Sequence, residues 1–186
     1  MRLFFALPLP KGAAAEASSV QARMRAAAGP DARLAWAPSD QLHLTLSFLG
    51  EQPDAGPAAE AGREAWGSAR EFEVVVEGAG AFPGHGRARA LWLGISTGKA
   101  ELIALATLLR EALRRRGLPI EERELRPHLT VARVRSAGHV AAPLALAAVP
   151  AGPIARFTAG RMVLFESVLG GGPALHLARA EYPLLS

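Results

Sequence analysis

The sequence has no cysteine, and that absence removes disulfides, thiolate nucleophiles, zinc fingers and iron–sulfur clusters at once. Lysine is nearly missing too: Lys11 and Lys99 are the only two, so almost all positive charge is arginine. With 21 Lys and Arg against 17 Asp and Glu, the net charge is only +4. An arginine bias suits bidentate phosphate recognition, but the base-composition bias that enriches Ala, Gly and Arg together accounts for most of it. No apolar run approaches the roughly 18 residues a membrane helix needs. The N-terminal run Leu3 to Leu9 is too short for a signal core and is broken by Pro8. These absences predict a cytoplasmic protein that does not engage a membrane. What is present is an ordinary globular balance: 186 residues, 50% hydrophobic and 20% charged, with 19 Gly and 14 Pro to punctuate the connections.

Arg2 to Leu9 reads as a short buried strand ending at prolines. Lys11 to Ala28 is rich in Ala, Glu, Gln, Arg and Met and reads as a helix, stopped by Gly29-Pro30. After a loop with Trp36 and Pro38, Leu42 to Phe48 alternates strictly. Leu42, Leu44, Leu46 and Phe48 fall on one face, and His43, Thr45 and Ser47 on the other. Pro57 to Ala69 is a second candidate helix, and Phe72 to Val76 and Leu91 to Ile95 read as strands. Between those strands, Gly78 to Gly86 reads as a Gly/Pro loop carrying Phe82 and His85. Ala100 to Arg116 carries apolar residues at Leu102, Leu105, Leu108, Leu109 and Leu113 and reads as an amphipathic helix stopped by Gly117 and Pro119. His128 to Val134, Arg161 to Leu169 and Leu175 to Leu184 complete the strands.

One pattern recurs. Strand, helix, then a strand opening with His-Leu-Thr occurs twice, with His43 lying 40 residues after Leu3 and His128 lying 37 after Leu91. This predicts an α+β protein of two lobes related by a pseudo-two-fold axis. The five histidines are His43, His85, His128, His139 and His176, and two of them begin His43-Leu44-Thr45 and His128-Leu129-Thr130. At ordinary residue usage Leu-Thr follows a given His only about once in two hundred, so the repeat is informative. Residues i and i+2 share a strand face, so His43 projects beside Thr45 and His128 beside Thr130, while Leu44 and Leu129 anchor the strands. Across a pseudo-two-fold axis, two imidazoles and two hydroxyls then line one cleft. That set suits in-line displacement at phosphorus, one neutral imidazole taking a proton and one protonated imidazole giving one. The hydroxyls would donate to non-bridging oxygens. Imidazole works near neutral pH without a metal, and no His-x-x-x-His or carboxylate cluster accompanies the histidines. The expectation is therefore no metal and no cofactor. The two motifs are equivalent, so spacing leaves open which histidine is the acid.

On these residues the chain resembles the 2H phosphoesterases, most closely their RNA 2′,3′-cyclic phosphodiesterase branch, also described as 2′-5′ RNA ligase-like. The blocks that carry the resemblance are Arg2 to Ala6, Leu42 to Gly50 with Glu51, Leu91-Trp92, Pro127 to Arg133, Ser167 and Tyr182-Pro183-Leu184. The resemblance implies one bilobal domain over residues 1–186. Each lobe would be an antiparallel sheet with helices outside, facing its partner across a central groove. It implies hydrolysis of RNA 2′,3′-cyclic phosphate ends to 2′-phosphates, with 2′-5′ ligation as the reverse. His43 would be the proton donor and His128 the acceptor, and a monomer acting on RNA ends or cyclic nucleotides is expected. Other readings are a 2H enzyme for a different small cyclic phosphate, and an RNA-end-binding module without turnover. Two positions depart from the family's pattern: Leu125, where relatives carry an aromatic, and His176, where they carry Tyr.

Arg133 ends the second motif, five residues after His128 and on the opposite strand parity. A phosphate contact from Arg133 therefore requires a bulge that turns it into the groove. Arg126 reads as an exposed arginine, and Arg110, Arg114, Arg115 and Arg116 as cations favoured at a helix C-terminus. Trp36, Trp92, Phe48 and Phe82 are the aromatics available for base stacking, with Trp36 and Phe82 the more accessible in their loops. His85 and His139 read as solvated.

Overall fold

The computed structural model describes residues 1–30, 32–67, 69–84, 87–135, 141–170 and 174–185; His85 and His139 lie outside them. The elements run β1 (Arg2–Pro8), α1 (Lys11–Ala28), β2 (Leu34–Trp36), β3 (His43–Glu51), α2 (Gly56–Trp66), β4 (Phe72–Phe82) and β5 (Ala90–Thr97). They continue α3 (Lys99–Arg115), β6 (His128–Val134), α4 (Ala141–Ala147), β7 (Pro153–Ala159), β8 (Arg161–Val168) and β9 (Leu175–Pro183). Among the described residues these strands form one nine-stranded sheet in the order β7-β4-β5-β6-β3-β1-β8-β9, with β2 paired beside β6. Every ladder between named strands is antiparallel.

The sheet divides into two four-stranded halves where β6 meets β3, and these are the two lobes. Each lobe carries helices on its outer face, but the helices are exchanged. Helix α1 leaves β1 of one lobe and packs on β7 and α4 of the other; α3 leaves β5 and packs on β3 and α2. Apolar spacing explains these contacts. Leu102, Leu105, Leu109 and Leu113 form the buried stripe of α3, with Leu108 of the expected apolar set left exposed at the stripe's edge, and Ala13, Ala17, Val20 and Met24 form that of α1. The small alanines of α1 let it sit close to its neighbours. Among the described residues no helix is long and apolar enough to cross a membrane.

The stretch read as a loop from Gly78 onward is instead the second half of β4, which continues to Phe82. Its glycines serve packing. The Trp92 indole lies across Gly80, where an added Cβ would stand 2.2 Å from the ring. Gly78, at φ 76°, takes up the register shift between Val76 and Ala79. The strict alternation expected along β3 also fails. Its pairing with β1 shifts register between Phe5 and Ala6 and again between Leu3 and Phe4, so Leu46, Ser47 and Leu49 are all buried while Phe48 is 46% exposed. Short β2, edge strand β7 and short α4 carry no clear pattern in the sequence and emerge only in the structure.

Gly62 of α2 shows how tightly the outer layer is fitted. A Cβ there would lie 2.6 Å from the Tyr182 ring and 2.8 Å from that of Phe5, both buried. Gly62→Ala gains helix propensity but overpacks a rigid aromatic pair, and overpacking costs about 1–3 kcal/mol. Urea unfolding is expected to show a net loss of about 1–2 kcal/mol; a more stable variant would mean that the ring pair yields.

Candidate active site

At the centre of the sheet β3 and β6 share one ladder pair, Leu44 opposite Leu129, both almost fully buried. The antiparallel register from that pair sets His43 across from Thr130, and Thr45 across from His128, on the face away from the leucines. Diagonal neighbours in such a ladder stand about 7–8 Å apart. Here the strands also part company beyond the pair, since β3 runs on beside β1 and β6 beside β5 and β2. The two imidazoles therefore stand as diagonal neighbours on one face where the strands diverge.

Both imidazoles are tethered in the same way. His43 Nδ1 lies 2.7 Å from the Gln41 carbonyl oxygen, and His128 Nδ1 lies 2.6 Å from that of Arg126. A carbonyl only accepts, so Nδ1 carries the proton in each ring. That leaves Nε2 as the nitrogen that gains or loses a proton. The tether runs to residue i−2 in each case, so the pseudo-two-fold axis relates the hydrogen bonds as well as the strands.

Arg133 does turn toward this face. The β5–β6 ladder shifts register between Leu91 and Trp92, which leaves Val131 as an extra residue in β6. Val131 and Ala132 are both buried, and Arg133 emerges exposed with the parity of His128 and Thr130. Its guanidinium acts on His43, His128 and His176, holding each toward the neutral form. In the other lobe the extra residue is Leu46, between Thr45 and Ser47. The position equivalent to Arg133 is Phe48, so one lobe offers a cation where the other offers an exposed ring.

Sequence reasoning missed much of the aromatic setting. Beside His43 stand Phe4 at 5.2 Å, His176 at 5.2 Å and Phe165 at 6.4 Å between ring centroids. Phe48 covers Phe4 at 5.8 Å. Beside His128 stand Phe82 at 4.9 Å and Trp92 at 6.4 Å. Phe82 and Phe165 are pseudo-equivalent, paired with Ala90 and Phe4 respectively. Trp36 is half-buried outside this cluster, under the Arg25 guanidinium at 5.5 Å. Leu125 packs partly buried against the core. Arg114 pairs with Glu122, and Arg115 and Arg116 with Glu64, so these arginines tie structure together. Arg126 contributes its carbonyl to the His128 tether.

Burial is the main force on the three imidazoles. It pushes His43 down to about 4, aided by the charges of His176, Arg133 and His128 and opposed by the Gln41 hydrogen bond. His128 is lowered by burial and Arg133, against its Arg126 bond, and His176 by burial and Arg133. All three are thereby held toward the neutral form. No group of three or more His, Asp or Glu that could hold a metal ion occurs among the described residues.

A family model described as the 2′-5′ RNA ligase superfamily matches residues 10–171. The RNA 2′,3′-cyclic phosphodiesterase of Escherichia coli K12 is 34% identical over 135 residues, covering 71% of each chain. That of Aeropyrum pernix is 32% identical over 103 residues, or 55% of this chain; the match spans little more than half of the relative, 58% of its length. The crystal structure of TT0787 from Thermus thermophilus superimposes with a TM-score of 0.81 at 25% identity, covering 99% of this chain and 98% of that one.

Because His43 stays neutral down to about 4, it makes the native state acid-sensitive. An unfolded histidine titrates near 6.5, so between those values the unfolded chain binds a proton that the folded one refuses. Stability from this source is intact above pH 6.5 and falls as pH drops toward 4. The loss between pH 7 and 4.5 is about 2–3 kcal/mol. His43→Gln removes it, so the variant's urea-unfolding free energy is expected to change less over that interval than the wild type's. Equal pH slopes would show that His43 is not held neutral by burial.

Proposed function

The chain belongs to the 2′-5′ RNA ligase superfamily, and from that premise we propose that it hydrolyses RNA 2′,3′-cyclic phosphate ends to 2′-phosphates by acid–base catalysis. The observation that carries the proposal is the matched pair of tethered imidazoles, each with Nδ1 bonded to the i−2 carbonyl and Nε2 free to move a proton. His128 Nε2 accepts a proton from the attacking water. Protonated His43 Nε2 gives one to the departing ribose 3′ oxygen, leaving phosphate on the 2′ oxygen. Thr45 and Thr130 donate to the non-bridging oxygens, and Arg133 balances their charge.

The difference between the two imidazoles supports this division of labour. His43, pushed down to about 4, is the stronger acid once protonated, which suits protonation of a leaving oxygen. That value leaves His43 neutral at pH 7, so an anionic substrate brings the charge that lets it take up a proton. Residues of the chain alone supply acid, base and cation, so the proposed reaction needs no metal. With a 5′-hydroxyl in place of water the same displacement joins two ends. His128 takes the hydroxyl proton, the 5′ oxygen bonds to phosphorus and the 3′ oxygen leaves with a proton from His43. This yields a 2′-5′ linkage, the reverse of 2′-5′ linkage cleavage. RNA or a cyclic nucleotide is then the partner.

His43→Ala and His128→Ala are each expected to lower turnover of a cyclic-phosphate-ended oligonucleotide by roughly 10²–10⁴. The double variant should be far less than multiplicatively worse. Near-wild-type turnover in either single variant would overturn the mechanism. Activity is expected to persist after thorough chelation, and the released end should carry a 2′-phosphate by chromatography against both nucleotide standards. A 3′-phosphate would reverse the bound orientation.

The pH profile tests the electrostatics. Both imidazoles are lowered from 6.5 in the free protein, so both limbs of the kcat/KM bell are expected below pH 6.5. A bell whose limbs straddle pH 7 would contradict the burial of these groups.

A further inference from the structure

We infer that Gln21, a buried residue of α1, is a positioning residue that aims Arg133 into the groove. Gln21 is only 6% exposed and is one of just two buried polar residues among those described. It occupies the buried stripe of α1 among Ala17, Val20 and Met24, all apolar. Its amide nitrogen donates to the Ala37 carbonyl at 2.9 Å and to the Val131 carbonyl at 2.9 Å. Val131 is the extra residue of the β6 bulge. The same carbonyl also accepts from the Ala37 N–H at 2.9 Å. A closed set of three hydrogen bonds thus holds the peptide at which β6 changes parity, two residues before Arg133.

The opposite lobe supplies the control. Its bulge at Leu46 reverses parity in the same way, yet among the described residues no side chain bonds the Leu46 carbonyl. That bulge presents Phe48, an apolar ring whose direction is set by contact with Phe4. The clamped bulge presents a guanidinium, which has no carboxylate partner among the described residues to fix it. Without the clamp, the Ala37 and Val131 carbonyls lose a buried donor, and the local ladder can relax by moving the extra residue along the strand. A slip that takes the extra residue to Arg133 or beyond would return the guanidinium to the other face.

This inference rests on the proposed phosphate role of Arg133, so its test reads binding and ionisation without requiring turnover. The groups that face one another across the groove are His43 from β3, His128 and Arg133 from β6, and His176 from β9. Inorganic phosphate affinity and the NMR titrations of His43 and His128 would be measured in wild type, Gln21→Met, Gln21→Asn, Arg133→Met and the Gln21→Met/Arg133→Met double variant. Met keeps the volume and removes the donor; Asn keeps the donor and shortens its reach. Arg133→Met is expected to weaken phosphate binding about ten-fold or more and to raise both titrations. Gln21→Met and Gln21→Asn should do the same to a lesser degree, with about three-fold or more lost, and Gln21→Met should change either readout little once Arg133 is gone. If one Gln21 variant does not fold, the other carries the comparison. Lower stability with unchanged phosphate affinity and unchanged titrations would make Gln21 a structural amide only and overturn the inference. If Arg133→Met itself leaves phosphate affinity unchanged, the phosphate role of Arg133 fails first, and the inference falls with it.

Discussion

A single strand pairing, Leu44 against Leu129, joins the two halves of this sheet and decides what can happen between them. Antiparallel register is all-or-none: moving either strand by one residue would turn a leucine into the groove and an imidazole into the core. Both leucines are buried to 1% exposure or less, so such a slip would expose one large aliphatic and bury an unpaired imidazole on each strand. The core thus enforces the placement of the polar groups. His43, Thr45, His128 and Thr130 lie around one pseudo-two-fold point because their intervening leucines have nowhere else to go.

On that symmetric frame the lobes diverge in chemistry. Equivalent bulges carry Phe48 in one and Arg133 in the other, and a third imidazole, His176, stands only beside His43. His43 consequently has Phe4, Phe165 and His176 around it and is lowered furthest. His128 has Phe82 and Trp92 and remains more open. Two copies of one motif become an unequal pair through their neighbours, with His43 pushed down to about 4 and His128 lowered less.

The order of elements and the paired His-Leu-Thr strands were legible in the sequence because each reports a strong local rule. Alternation, alanine-rich helix and Gly-Pro stops all act over a few residues. What stayed hidden depends on partners distant in sequence. Strict alternation put Phe48 in the core, but bulges in β3 turned it out. The small residues of Gly78 to Ala81 looked like a loop because the Trp92 ring they accommodate lies in another strand. The parity of Arg133 could be posed as a question but not answered, since the bulge at Val131 is held by an amide 110 residues away. Gln21 itself carried one faint signal, a polar side chain on an otherwise apolar helical stripe.

The nesting of the two lobes bears on how the chain acquires its structure. One lobe is built from β4, β5, β6 and β7, a continuous stretch, whereas the other joins β1 and β3 to β8 and β9, which follow it. During synthesis β1 can pair with β3 early, but its opposite edge stays bare until β8 emerges, after the whole intervening lobe. That edge belongs to Leu3-Phe4-Phe5-Ala6-Leu7, five consecutive buried apolar residues. A nascent chain of this topology therefore presents an unpaired, aggregation-prone strand for most of its translation. The frame that aligns the two imidazoles closes only when β8 and β9 arrive on that edge.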